Sequence, residues 1–156
     1  MIKINIIAVG KVKEKYFSLG IEEYKKRLSR FCDFNIIEIE EENYSKADDG
    51  TIALIKQKEG ERILKKLSGY TVATAIEGKE LSSEKFAELI EKTSATHSAI
   101  NFVIGGSYGL SDGVKQKADM LLSVSDMTFP HTLFRLMLTE QIYRAFCILN
   151  GVAYHK

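Results

Sequence analysis

An α/β domain with a mostly parallel sheet and helices on both faces is the fold class this sequence predicts, and two observations carry the prediction. Apolar, β-branched runs bounded by breakers alternate almost without exception with stretches of helical period, the order that builds strand–helix–strand crossovers. With 156 residues, 45% of them apolar and 28% charged, the chain has the balance of a globular protein and the length for a single domain over residues 1–156.

The elements follow in order. "IKINIIAV" at 2–9 is the first strand, and "KEKYFSLGIEEYKKRL" from 13 the first helix. "FNIIEI" at 34–39 is the second strand, followed by an acidic loop, "EIEEENYSKADDG", over 38–50. A helix over "TIALIKQKEGERILKKL" from 51 leads to a strand at 71–76, with Gly69 where the helix should have stopped. Ser82 caps the helix "SSEKFAELIEKTS", which precedes a strand at 100–104. A short helix from 111, a strand at 120–124 and a long helix from Thr132 to about Leu149 complete the series, with Gly151 as its stop. That last helix is apolar around most of its circumference, the mark of burial in more than one direction and of a subunit interface.

No segment reaches the roughly 20 apolar residues of a membrane span, and the first apolar run reads as a strand and not a leader. The chain is therefore expected in the cytoplasm. Cys32 and Cys147 lie far apart with no CxxC pair or ligand-spaced histidine, and are expected to be free, buried thiols. Net charge is only +1, but residues 1–30 hold eight Lys/Arg against three acids and residues 31–61 hold three against nine. A near-neutral total can thus hide a basic face, although solvated helix surfaces would give the same counts.

In parallel sheets ligands bind beyond the carboxyl ends of the strands. Three such loops stand out: "AIEGKELSSE" after the third strand, "IGGSYGLSDG" after the fourth and "SVSDMTFPH" after the fifth. Gly105, Gly106 and Gly109 let backbone approach a ligand closely, but the spacing is neither GxGxxG nor GxxxxGK. A glycine-rich turn alone is equally an ordinary tight turn. Pro130, the single proline, fixes the start of the last helix and biases Phe129 toward extended backbone, so the loop from Ser123 to Phe129 is held rigid and can present amides and carbonyls to a flat heterocycle. His131, Arg135 and Thr139 recur every four residues on one helix face, with Glu140 and Arg144 alongside. His131 by itself could be a structural histidine, and the terminal "GVAYHK" a frayed tail. Paired carboxylates, a Ser/His/Asp grouping and a metal-ligand cluster are all missing from the sequence pattern, so no metal is expected. What is present suits positioning, and favours group transfer from a cofactor that carries its own reactivity.

Taken together, "AVGKVKEKY", "EYKKRL", "KEGERIL", "VIGGSYGL", "MTFPH", "EQIYRAF" and the terminal "YHK" resemble the small SPOUT-superfamily methyltransferases of large-subunit ribosomal RNA, over the whole chain and in the family's order. The resemblance implies a deep trefoil knot near the C-terminus, a homodimer, S-adenosylmethionine as cofactor, and methylation of N3 of a pseudouridine in helix 69 of 23S rRNA on the ribosome. By motif match the cofactor contacts fall on Gly105 and on Val124, Ser125, Asp126, Met127, Thr128 and Phe129. A third-strand contact falls on Ala75, or on Ile76, because "TVATAIEGK" is shorter than the family pattern of a bulky aliphatic residue followed by an acid.

Methylating an imide nitrogen requires removal of its proton and stabilisation of charge on oxygen. His131 or His155 could take that proton, since imidazoles as a class serve near neutral pH. Arg135 and Arg144 could hold phosphate or a developing oxyanion, Tyr154 could stack on a base, and His155 and Lys156 could reach a site in a partner subunit. The basic N-terminal residues, including Lys11, Lys13, Lys25, Lys26, Arg27 and Arg30, would contact rRNA backbone. Two alternatives stand beside this reading: a methyltransferase of the same fold acting on tRNA, and a ribosome-binding protein without catalysis.

Overall fold

A computed structural model describes residues 1–156. Ten elements alternate: β1 (Lys3–Val9), α1 (Lys15–Leu28), β2 (Asp33–Ile39), α2 (Asp49–Leu64), β3 (Tyr70–Glu80), α3 (Ser83–Ser94), β4 (Ala99–Ile104), α4 (Asp112–Lys117), β5 (Met120–Ser123) and α5 (His131–Leu149). The strands form one sheet in the order β2-β1-β4-β3-β5, every neighbouring pair parallel. This is the predicted α/β class, and the order is consistent with the knot the resemblance implies.

Each central strand is apolar on both sides because both sheet faces are covered. On one face Ile4, Ile6, Phe102 and Ile104 pack with Leu28 of α1, Phe86 and Ile90 of α3 and much of α5. On the other Ile7, Val9, Ala73 and Val103 meet Ile63 of α2 and Val114 of α4. A buried polar pair ties the two middle strands, where the Asn5 amide donates to Asn101 Oδ1 at 3.0 Å and the Asn101 amide donates to the Ser68 carbonyl at 2.6 Å. Both cysteines are free and buried, and burial pushes the Cys32 thiol up to about 12. No helix is long and apolar enough to cross a membrane.

Helix starts follow the sequence signals. Asp48, Ser82 and Ser111 accept from Thr51, Lys85 and Val114 backbone N–H groups. Pro130 instead stands at the α5 N-cap with φ −54° and ψ 135°, and its carbonyl accepts from Phe134 at 2.9 Å. Several boundaries differ from expectation, and α1 begins two residues late, at Lys15. Helix α2 begins two residues early, inside the expected acidic loop, and stops at Leu64, so Gly69 with φ +83° serves the turn into β3 and not the helix end. Strand β3 runs four residues past Ile76, because Lys79 and Glu80 pair with Leu122 and Ser123 beyond an irregularity at Thr74. Helix α5 is buried largely by its own chain, against α1 and α3, so its apolar circumference does not by itself require a second subunit.

Candidate active site

All strands being parallel, the loops after β3, β4 and β5 gather at one sheet edge, where they enclose a cleft of about 680 Å³, within the range of small-molecule sites. Thr74, Ala75 and Ile76 contribute from β3, residues 104–109 from the glycine loop, residues 122–125 and 127–130 from the rigid loop, and His131 and Phe134 from the start of α5.

The glycine loop is tight. Gly109 has φ +84°, a conformation L side chains rarely adopt, and its N–H returns to the Gly106 carbonyl at 3.1 Å. At Gly105 a β-carbon would stand 2.7 Å from the Gly109 carbonyl carbon, so any side chain there would force the loop open. The loop after β5 is braced from inside: Ser123 Oγ donates to the Ser125 carbonyl at 3.2 Å and the Met127 N–H donates to Ser125 Oγ at 3.0 Å. Beyond the cleft, Glu77 in β3 pairs with Lys115 of α4, and that hydrogen bond holds its carboxyl below the usual range.

The residues expected to contact cofactor therefore meet in one place, with one departure. Ala75, Gly105, Val124, Ser125, Met127, Thr128 and Phe129 line the cleft, as does Ile76, whereas Asp126 does not. His131 lines it too. Arg135, one turn further along α5, does not: it is 2% exposed, and its guanidinium donates to Glu38 Oε2 at 2.8 Å, the Gly10 carbonyl at 3.0 Å and the Val9 carbonyl at 3.4 Å. Its charge is committed to the end of β1 and cannot face a substrate from there.

The tail is docked, not frayed. Tyr154 Oη donates to Glu140 Oε1 at 2.9 Å and lies 3.2 Å from Tyr24 Oη, while its ring stands edge-on to Tyr143 and beneath Arg144. Burial, then those two hydrogen bonds, raise the Tyr154 phenol. Arg144 forks onto Glu140 at 2.6 and 3.0 Å and contacts His155 Nδ1 at 3.1 Å, and His155 Nε2 reaches Glu84 of α3 at 2.7 Å. The carboxylate raises the Arg144 guanidinium and the imidazole lowers the Glu84 carboxyl. Lys156 is exposed. This cluster borders a second groove, about 540 Å³, lined by Tyr24, Phe86, Leu136, Met137 and Glu140 among others, that shares Leu122, Ser123 and Val124 with the cleft.

Sequence reasoning missed Thr74, Tyr108 and Phe134 in the lining, and it missed Glu59. That carboxylate, buried in α2, accepts the Glu42 N–H at 3.0 Å and lies 3.2 Å from where a Gly106 β-carbon would be. Burial, reinforced by Glu41 and Glu42, raises its titration. No three His, Cys, Asp or Glu side chains come together as a metal-holding group.

The family model described as "Predicted SPOUT methyltransferase" matches residues 2–155. The chain belongs to the SPOUT methyltransferase family. It is 53% identical to the Limosilactobacillus reuteri (strain DSM 20016) protein named ribosomal RNA large subunit methyltransferase H, over 98% of this chain and 99% of that one. A Streptococcus pyogenes serotype M18 protein of the same name is 51% identical over 99% of both. Two solved SPOUT-fold neighbours align at 14% identity, which bears on fold alone. A probable methylase family protein from Haemophilus influenzae has a TM-score of 0.56, covering 99% of this chain and 70% of that one. A tRNA (m1G37) methyltransferase from Aquifex aeolicus has a TM-score of 0.53, covering 99% and 73%. The chain is thus a methyltransferase.

Proposed function

We propose that this methyltransferase uses S-adenosylmethionine to methylate N3 of a pseudouridine in helix 69 of 23S rRNA, as a cytoplasmic homodimer acting on the ribosome. The cleft carries the reading: three strand-end loops, one of them unable to accept a β-carbon, converge with a histidine on one apolar space, and full-length relatives at about half identity are named for large-subunit rRNA methylation.

The residues fit such a cofactor. Main-chain groups of the loop from Val124 to Phe129 would suit the edge of a flat base, and the side chains of Ile76, Val124 and Met127, which line the cleft, would cover its faces. S-adenosylmethionine supplies an electrophilic methyl group on a sulfonium. The protein must then fix the acceptor in line and remove its proton. Of the two candidate histidines His131 lines the cleft, so we assign it the N3 proton. The imide oxygens that gain charge call for a cation, and Arg144, already poised with Tyr154 and His155, can provide it when the tail of one subunit reaches the other's cleft.

Transfer of labelled methyl from S-adenosylmethionine to ribosomes lacking the modification, followed by mapping of the labelled nucleotide, tests this. Label is expected on a helix 69 pseudouridine and should vanish with Gly105→Trp, while His131→Ala should lower kcat by roughly 100-fold or more. Label on another nucleotide would displace the substrate, and no label would remove the reaction.

A further inference from the structure

Lys11, Lys13 and Lys15 occupy alternate positions in the chain that leads from β1 into α1, and all three are exposed. None lies within ion-pair distance of a carboxylate. Tyr16 follows, 69% exposed, its ring edge-on to Phe17 at a centroid distance of 4.6 Å. A large aromatic face left in water beside three unneutralised cations is the combination that nucleic-acid surfaces use, charge for phosphates and a ring for a base.

Where this segment sits makes it more than a basic patch. Strand β1 pairs with β4, so Val9 ends at the same sheet edge as the glycine loop, and a β-carbon on Gly106 would stand 3.1 Å from Val9 Cγ1. Arg135, one turn after His131, grips the carbonyls of Val9 and Gly10, the last two residues before Lys11. Helices α1 and α5 then run side by side in the same sense, Gly20 against Leu136 and Tyr24 against Tyr143. Tyr16, one turn before Gly20, consequently lies toward the His131 end of α5. On the far side Glu41 comes within 3.5 Å of where a Gly10 β-carbon would be, so acidic residues bound the strip and would repel a phosphate backbone that strayed past it.

We infer that Lys11, Lys13, Lys15 and Tyr16 form an RNA-contacting strip beside the cleft: the lysines neutralise phosphates, and Tyr16 stacks on an unpaired base flanking the nucleotide to be methylated. Arg135 acts through this strip as a positioning residue, holding its origin at a fixed height next to His131. The inference rests on the rRNA substrate proposed above and adds how a chain of this size engages it.

The test uses the full chain, ribosomes as the RNA probe and a salt titration of binding. Replacing the three lysines by Ala should flatten the slope of log K against log[salt] by about 2 and raise KM for ribosomes roughly tenfold or more, with kcat and S-adenosylmethionine binding unchanged. Tyr16→Ala should lower kcat/KM about tenfold, and Tyr16→Trp should restore it, because stacking needs a ring and not a hydroxyl. An unchanged salt slope, or a Tyr16→Ala protein that changes oligomeric state on size exclusion, would overturn the inference, the latter by assigning the ring to a subunit interface. The two readings fail separately. Wild-type protein that binds ribosomes with the expected slope but transfers no methyl sinks the reaction and keeps the strip, whereas normal transfer by the triple variant sinks only the strip.

Discussion

The two ends of α5 are held in opposite ways. At its N-terminal end a proline sets the backbone and a guanidinium 2% exposed clasps two main-chain carbonyls and Glu38. At its C-terminal end the tail is fastened by side chains that water still reaches, Arg144 and Glu140, 25% and 18% exposed, with Tyr154 and His155, and by Glu84 at the surface of α3. Buried contacts of the first kind have no substitute in water, whereas exposed charge-assisted bonds exchange with water at little net cost. The first end is a lock that fixes His131 against the cleft, and the second is a latch whose partners can be traded for others. If the tail serves a neighbouring subunit, this is the construction it needs.

Deleting Tyr154–Lys156 probes the latch most severely. Activity should vanish while thermal stability falls only by about 1–2 kcal/mol, the worth of one hydrogen-bonded aromatic contact. Mixing that truncated chain with Gly105→Trp chains should then restore roughly a quarter of wild-type activity, because half of randomly paired dimers are mixed and each of those has one intact cleft facing one intact tail. Mixed dimers that stay inactive would place tail and cleft in the same subunit and break the comparison.

The lock predicts the opposite pattern. Arg135→Met leaves Glu38 able to reach water, its side chain being 42% exposed, but strands the Val9 and Gly10 carbonyls. The cost should be about 2–4 kcal/mol, a fall in Tm of roughly 4–16 °C for a chain of this length, measurable by calorimetry. Arg135→Lys should recover only part of it, since an ammonium lacks the planar fork that sets one nitrogen on Glu38 and the other on the Val9 and Gly10 carbonyls. A variant that loses activity with no loss of stability would return Arg135 to the chemistry.

The contrast also marks what the sequence could convey. Element order and strand cores were legible, because apolar runs and the caps at Ser82 and Pro130 are local signals. The convergence of Gly105 and residues 124–129 followed from parallel strands, whose ends must meet at one edge. Arg135 was not legible in this way. Helical spacing placed it on the face of His131, but its partners Val9, Gly10 and Glu38 come from strands about a hundred residues away, and nothing near Arg135 announces them. Glu59 was hidden for the same reason, its neighbours being Gly106 and the loop after β2. The overrun of β3 to Glu80 likewise depends on pairing with Leu122 and Ser123, a contact between segments that no local pattern records.

The finest probe of the latch is the bond between Glu84 and His155. Glu84 titrates below the ordinary carboxylate range chiefly because His155 hydrogen-bonds its ionised form. A carboxyl depressed in the folded state contributes stability above its unfolded titration and loses it as pH falls through the folded one. Tail amides from Ala153 to Lys156 should accordingly exchange more slowly in the wild type than in Glu84→Gln at neutral pH, by a factor of a few at most for so exposed a pair. After correction for intrinsic exchange rates, that ratio should shrink toward one as pH drops through the acid range, where protonated Glu84 is as neutral as the Gln that replaces it. A ratio of one already at neutral pH would mean that Tyr154 and Glu140 secure the tail unaided, and the latch would then be a single aromatic contact with His155 free to leave it.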